Sequence, residues 1–137
     1  MFISNKKKHI INIFYKDDDE EFAILDENLY KYRTKEELAL ENIVKVETVW
    51  EEMNWGQYQQ ILDKALTIEN EKPSFSFINY RKAIIETCLI DWDLMDGNGQ
   101  KLSILGNIAN LQPSAMLYLY KRFEKKINIS DEKKNNN

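Results

Sequence analysis

The sequence predicts an α+β fold, with a small N-terminal antiparallel β-meander followed by a mainly helical domain that carries one short hairpin. Three observations lead there. β-Branched and aromatic residues crowd residues 10–33 in short runs separated by charged turns. From residue 34 onward, apolar side chains recur at helical spacing behind residues that cap helix N-termini. Between helices, Asp96-Gly97-Asn98-Gly99 is a turn sequence suited to closing a hairpin. The chain has 137 residues, 43% hydrophobic and 12% aromatic. It is therefore long and apolar enough to bury a core rather than remain disordered.

The run Ile10-Ile11-Asn12-Ile13-Phe14-Tyr15 reads as a first strand, Asp17–Glu21 as a solvated charged turn and Phe22-Ala23-Ile24-Leu25 as a second strand. After a turn at Asp26-Glu27-Asn28, the alternation Leu29-Tyr30-Lys31-Tyr32-Arg33 predicts a third strand that completes the meander. Such a meander is marginal alone and needs helices or another sheet to lean on. Thr34-Lys35-Glu36-Glu37 is a capping-box pattern. Beyond it, Ile43, Val46, Val49, Trp50 and Met53 share one helical arc, so a helix is expected; the β-branched alternation Val44, Val46, Thr48 keeps a strand as the alternative.

Asn54-Trp55-Gly56-Gln57 is a second capping box, and Trp55, Tyr58, Ile61, Leu62, Ala65 and Leu66 repeat the helical spacing behind it. Pro73 closes the connection, and Ser76 caps a helix from Phe77 to about Ile90 that is apolar on two sides, hence central. The hairpin spans 92–102. Ser103 is expected to cap a short helix to Leu111, and Pro113 suits the first position of a last helix to about Ile127. The division that results is an N-terminal β segment at 1–33, a helical domain at 34–127 and a disordered tail at 128–137, where Ser130 to Asn137 offers nothing apolar to bury.

Composition removes several function classes. One Cys and one His leave no disulfide framework, no Cys-based zinc site and no paired-His chemistry. Four glycines supply no phosphate-cradling loop. No apolar run approaches the roughly 18 residues a membrane span requires, so no membrane partner is expected and the chain reads as cytoplasmic. The net charge of −4 is uneven: residues 16–52 hold thirteen acids against five bases, while both ends are basic. That acidic stretch disfavours nucleic acid as a partner.

Weighed individually, the remaining chemistry is sparse. Asp91, Asp93, Asp96 and Asn98 suggest calcium, but neither Asp91 nor Asp93 as first ligand places oxygen donors, Gly and Glu where an EF-hand loop needs them. The acidic turn then serves local hydrogen bonds. Asp91 and Asp93 lack the cleft a carboxylate pair would need for catalysis. Cys88 sits on an apolar helix face as an inert thiol, and His9, beside three lysines, is expected at the surface. No catalytic, cofactor-binding or metal-binding residue is assigned, and an enzyme is not expected. One surface stands out: on the last helix Met116, Leu119, Tyr120, Phe123 and Ile127 form the core face, whereas Tyr118 points away among Lys121, Arg122 and Lys125. Exposed Tyr beside Arg is typical of interface hot spots. The bland alternative is basic stems packed over a half-exposed ring.

The stretch Ile90 to Ser103, with its Trp92-x-Leu94-x-Asp96-x-x-Gly99 turn, then the Leu111-Gln112-Pro113 step and a final amphipathic helix, resembles the C-terminal half of tail assembly chaperones of long-tailed bacteriophages. The likeness covers roughly residues 35–127. It implies a non-enzymatic assembly factor that shields tail components or recruits tail tube subunits to the tape measure protein, in the host cytoplasm. The alternatives are a structural virion component, such as a baseplate, connector or tail subunit, or a small cellular regulatory binding module. The sequence leaves the oligomeric state open.

Overall fold

The computed structural model describes residues 2–18 and 20–135, with side chains described as far as Ile127. The fold is α+β, as the sequence predicts. Its centre is a four-stranded antiparallel sheet in the order β2-β1-β3-β6, made of β1 (Lys8–Asp17), β2 (Phe22–Leu25), β3 (Val44–Glu51) and β6 (Leu89–Trp92). A separate two-stranded hairpin joins β4 (Leu66–Glu69) to β5 (Lys72–Phe75). The helices are α1 (Glu27–Tyr30), α2 (Lys35–Leu40), α3 (Trp55–Ala65), α4 (Phe77–Cys88) and α5 (Pro113–Asn135).

The sheet is built from period-2 burial. On β1, Ile11 and Ile13 face the main core; on β3, Val46, Thr48 and Trp50 do. The helices α3, α4 and α5 cover this face with Ile61, Ala83, Ile84, Cys88, Leu119 and Phe123. Trp50 is wholly buried and stacks on Phe123 at 4.9 Å between ring centroids. Its indole N–H donates to Thr48 Oγ1 at 2.8 Å, and that hydroxyl donates to the Ile11 carbonyl at 2.7 Å. The reverse face carries a smaller cluster, Phe14 with Leu38 and Ile43, against which Leu25 and Tyr30 pack. At the β6 edge the pairing shifts between Val49↔Asp91 and Trp50↔Leu89, so Ile90 is the extra residue of a bulge.

Several expectations need correction. Residues 44–51 form the inner strand β3, not a helix. Val46 and Trp50 lie four apart, a spacing that satisfies both periods; the face is completed by Thr48, a polar residue that an apolar count passes over. Residues 29–33 are not a strand. The Asp26 carboxylate accepts from Asn28 N–H and starts the single turn α1, which leaves Leu29 within it and Tyr32 beyond it exposed. The sheet is completed instead by β3 and β6, so it joins segments on both sides of residue 34 rather than standing apart from the helices. Ser103 caps no helix: its hydroxyl donates to the Leu105 carbonyl, Gly106 adopts φ +88°, and only a short 3-10 turn forms at Ile108–Asn110. His9 is not at the surface. Its side chain lies edge-on to Phe123 at 6.1 Å, with Nε2 3.5 Å from a Glu52 carboxylate oxygen. The tail read at 128–137 lies outside the residues whose side chains are described; the α5 backbone is helical to Asn135.

Other details follow the sequence closely. Asn54 and Gln57 form the reciprocal capping box of α3, with Gln57 N–H to Asn54 Oδ1 at 2.9 Å and Asn54 N–H to Gln57 Oε1 at 3.0 Å. Thr34 and Ser76 accept from the backbone N–H groups of Glu37 and Asn79, and Pro113 opens α5. Met95 bridges Lys101 across the Asp96–Gly99 turn, and the Trp92 indole donates to the Leu102 carbonyl at 2.7 Å.

Candidate functional site

A groove of about 710 Å³ lies between the N-terminal turns of α3 and α4 and the middle of α5. Helix capping sets its mouth. The Asn54 box fixes the start of α3, which puts Trp55 on the first turn, 69% exposed, and Tyr58 one turn on, with ring centroids 5.9 Å apart. The Ser76 cap does the same for α4, presenting Phe77, 73% exposed, with Tyr80 and Arg81 behind it. The α5 wall contributes Tyr120, Phe123, Glu124 and Ile127, and the floor is Ile84 with Met53. Trp55, a core residue by its sequence spacing, instead forms part of the rim.

The polar groups of the groove are few and paired. The Arg81 guanidinium lies over the Tyr120 ring at 5.4 Å. Burial, then a hydrogen bond and the charge of Glu124, push the Tyr120 hydroxyl well above its ordinary value. Burial, followed by Tyr58 and Glu124, likewise raises Tyr80. Both phenols are thus neutral hydrogen-bond donors near pH 7. Glu124 and Arg81 add one charge of each sign on facing walls. The groove offers aromatic surface, phenolic donors and one ion of each charge, the mixture that holds an apolar segment and orients its polar edge.

Residues singled out on α5 are placed differently from expectation. Tyr118 does not point away from the protein: it packs against the main core, half-buried, and burial followed by the Asp26 charge raises its hydroxyl. The Arg122 guanidinium lies 5.1 Å from the centre of the Tyr118 ring and forms an ion pair with Glu27 of α1. Tyr118 and Arg122 therefore tie α5 to α1, the bland alternative. Lys121 and Lys125 remain exposed.

The carboxylates around the Asp96–Gly99 turn are engaged locally. Asp96 Oδ1 accepts from Asn98 and Gln100 N–H at 2.8 and 2.9 Å, Asp93 Oδ1 from Glu47 N–H at 2.8 Å, and Asp91 pairs with Lys101 at 2.6 Å. Hydrogen bonds from Lys101 and the Trp92 backbone hold the Asp91 carboxyl below its usual range. Cys88 is fully buried on α4, and burial pushes its thiol up to about 12.

Sequence reasoning missed two features: that Trp55 and Phe77 line one groove, and that β4 and β5 exist at all. Phe77 directly after a helix cap was a signal, because first-turn residues often stay outside the packed face. Among the described residues no helix is long and apolar enough to cross a membrane. Comparison of the chain with protein-family profiles, with curated proteins and with solved structures finds no match in any of the three.

Proposed function

We propose that the chain is a non-enzymatic assembly protein of the bacteriophage tail assembly chaperone kind. It would hold an apolar segment of a tail tube or tape measure protein in the α3–α4–α5 groove. The observation that carries this reading is the pair Trp55 and Phe77, both more than two-thirds exposed at the mouth of an aromatic groove. Large exposed aromatics gathered at one concavity are typical of surfaces that anchor a partner. The Asn54 capping box and the Ser76 cap behind them fix the two helix starts, so little ordering entropy is lost on binding. The likeness of residues 35–127 to tail assembly chaperones supplies the partner class.

The test is a photocrosslinking amino acid in place of Trp55, introduced in cells that express the tail genes. The expected adduct is with a tail tube or tape measure protein, and the chain is expected to be absent from purified particles by mass spectrometry. Stoichiometric presence in the mature particle would overturn the chaperone reading in favour of a virion component. One observation favours that second reading: β2 pairs only with Phe14–Asp17, which leaves Lys8–Ile13 of β1 with an edge a neighbouring strand could extend.

A further inference from the structure

We propose that the β4–β5 hairpin is a self-association surface whose apolar face packs against the same face of a second copy of this chain. Its pairing register places Leu66 opposite Phe75 and Ile68 opposite Pro73. Residues two apart on a strand share a face, so all four lie together. That face is turned to solvent: Leu66 is 52%, Ile68 82% and Phe75 40% exposed. Phe77 extends it, its ring 4.9 Å from that of Phe75. The opposite face carries Thr67 and Ser74, which are half-buried and joined by a hydrogen bond. The hairpin thus turns its polar side inward and its apolar side outward, the reverse of a strand pair folded onto its own core.

Edge pairing through β5 is not the use this surface fits. Asn70 and Glu71 both have positive φ, 53° and 65°, which makes the loop a two-residue type I′ turn. In such a hairpin Glu69 and Lys72 form the hydrogen-bonded pair next to the turn, and the next pair, Ile68 and Pro73, directs its backbone outward. The outer edge of β5 therefore presents a proline nitrogen, which has no hydrogen to donate to an added strand. Beside the outer edge of β4, where the Ile68 backbone groups point outward, the apolar face itself is available.

A second copy is the occupant that the area and the charges favour. At about 200 Å² per large apolar side chain, the exposed parts of Leu66, Ile68, Phe75 and Phe77 come to roughly 500 Å². Two such faces bury roughly 1,000 Å², the lower bound of a specific interface, which describes a dimer that dissociates on dilution. The face carries no charge, and its surroundings are mixed: Glu69, Glu71 and Lys72 at the tip, Asp63 and Lys64 at the base. Such a surface neither repels its own copy nor selects a strongly charged partner. Face-to-face packing across a two-fold axis gives each hairpin the second layer that an isolated strand pair lacks.

Sedimentation equilibrium tests this on the full chain. The weight-average mass of the wild type is expected to rise with concentration from 16.3 kDa toward twice that value. Ile68→Lys changes a side chain that is mostly in water, so it should stay folded by circular dichroism while the dissociation constant rises at least tenfold. Trp55→Ala should dimerise as the wild type does, because Trp55 lies outside the hairpin face; Phe77 borders both surfaces, so a groove occupant and a second copy compete for it. A wild type that stays at 16.3 kDa up to millimolar concentration overturns the proposal, as does an Ile68→Lys protein that dimerises normally. Loss of Trp55 crosslinking with dimerisation intact would overturn the groove reading alone.

Discussion

Replacing Thr48 by Val keeps the shape of a side chain that is 1% exposed and removes its hydroxyl. That hydroxyl is the middle of a short chain, accepting from Trp50 Nε1 at 2.8 Å and donating to the Ile11 carbonyl at 2.7 Å. Two hydrogen bonds worth about 1 kcal/mol each are lost, and the Trp50 N–H, on a wholly buried ring, is left without its acceptor. The expected cost is about 2–4 kcal/mol, with no cavity to add. Thr48→Ser keeps both bonds and deletes one methyl group, for about 1 kcal/mol. Urea unfolding followed by tryptophan fluorescence reads both, as a fall in midpoint at constant slope. A Val variant within about 0.5 kcal/mol of wild type, or a Ser variant costlier than Val, would refute the view that this hydroxyl organises the core.

Glu71→Gly should stabilise the protein by about 0.5–1 kcal/mol, because Glu71 sits at φ 65° in the hairpin turn and glycine adopts that conformation without a Cβ clash; thermal unfolding checks the sign. The Cys88 thiol is held up at about 12 against an ordinary 9.0, so the folded state favours its protonated form. The stability this contributes is full below pH 9 and is lost as pH rises toward 12, so the advantage of wild type over Cys88→Ala should shrink across that window in urea titrations. Arg122→Ala removes the ring contact with Tyr118 and the ion pair with Glu27, and should cost about 1 kcal/mol in chemical denaturation; no change at all would show that the tie between α5 and α1 is not formed in solution.

Much of the fold was legible because local chemistry and tertiary packing agreed. Asn54, Gln57, Ser76 and Pro113 mark helix starts by hydrogen-bonding and φ preferences that act within a few residues. The α5 core face, Met116 to Phe123, follows from spacing alone. The failures share a cause. Residues 44–51 became a strand because β1 and β6 flank them, an environment assembled from segments tens of residues away. The β4–β5 hairpin escaped notice because Asn-Glu is an uncommon type I′ turn and Pro73 argues against a strand unless that strand is an edge. The Tyr118 orientation differs from the sequence reading because Glu27, which fixes Arg122 over its ring, lies 95 residues from Arg122 in sequence.

The groove as a partner site is tested most directly by iodide quenching of tryptophan fluorescence, because Trp50 and Trp92 are 0% and 3% exposed while Trp55 is 69% exposed. In the free protein, one of the three indoles should be reached by iodide, and Trp55→Phe should leave none accessible. Titration with purified tail tube or tape measure protein, at a chain concentration too low for dimerisation, should suppress that accessible fraction as the complex forms. A complex that forms while Trp55 stays as open to iodide as before would contradict the groove as the site of contact.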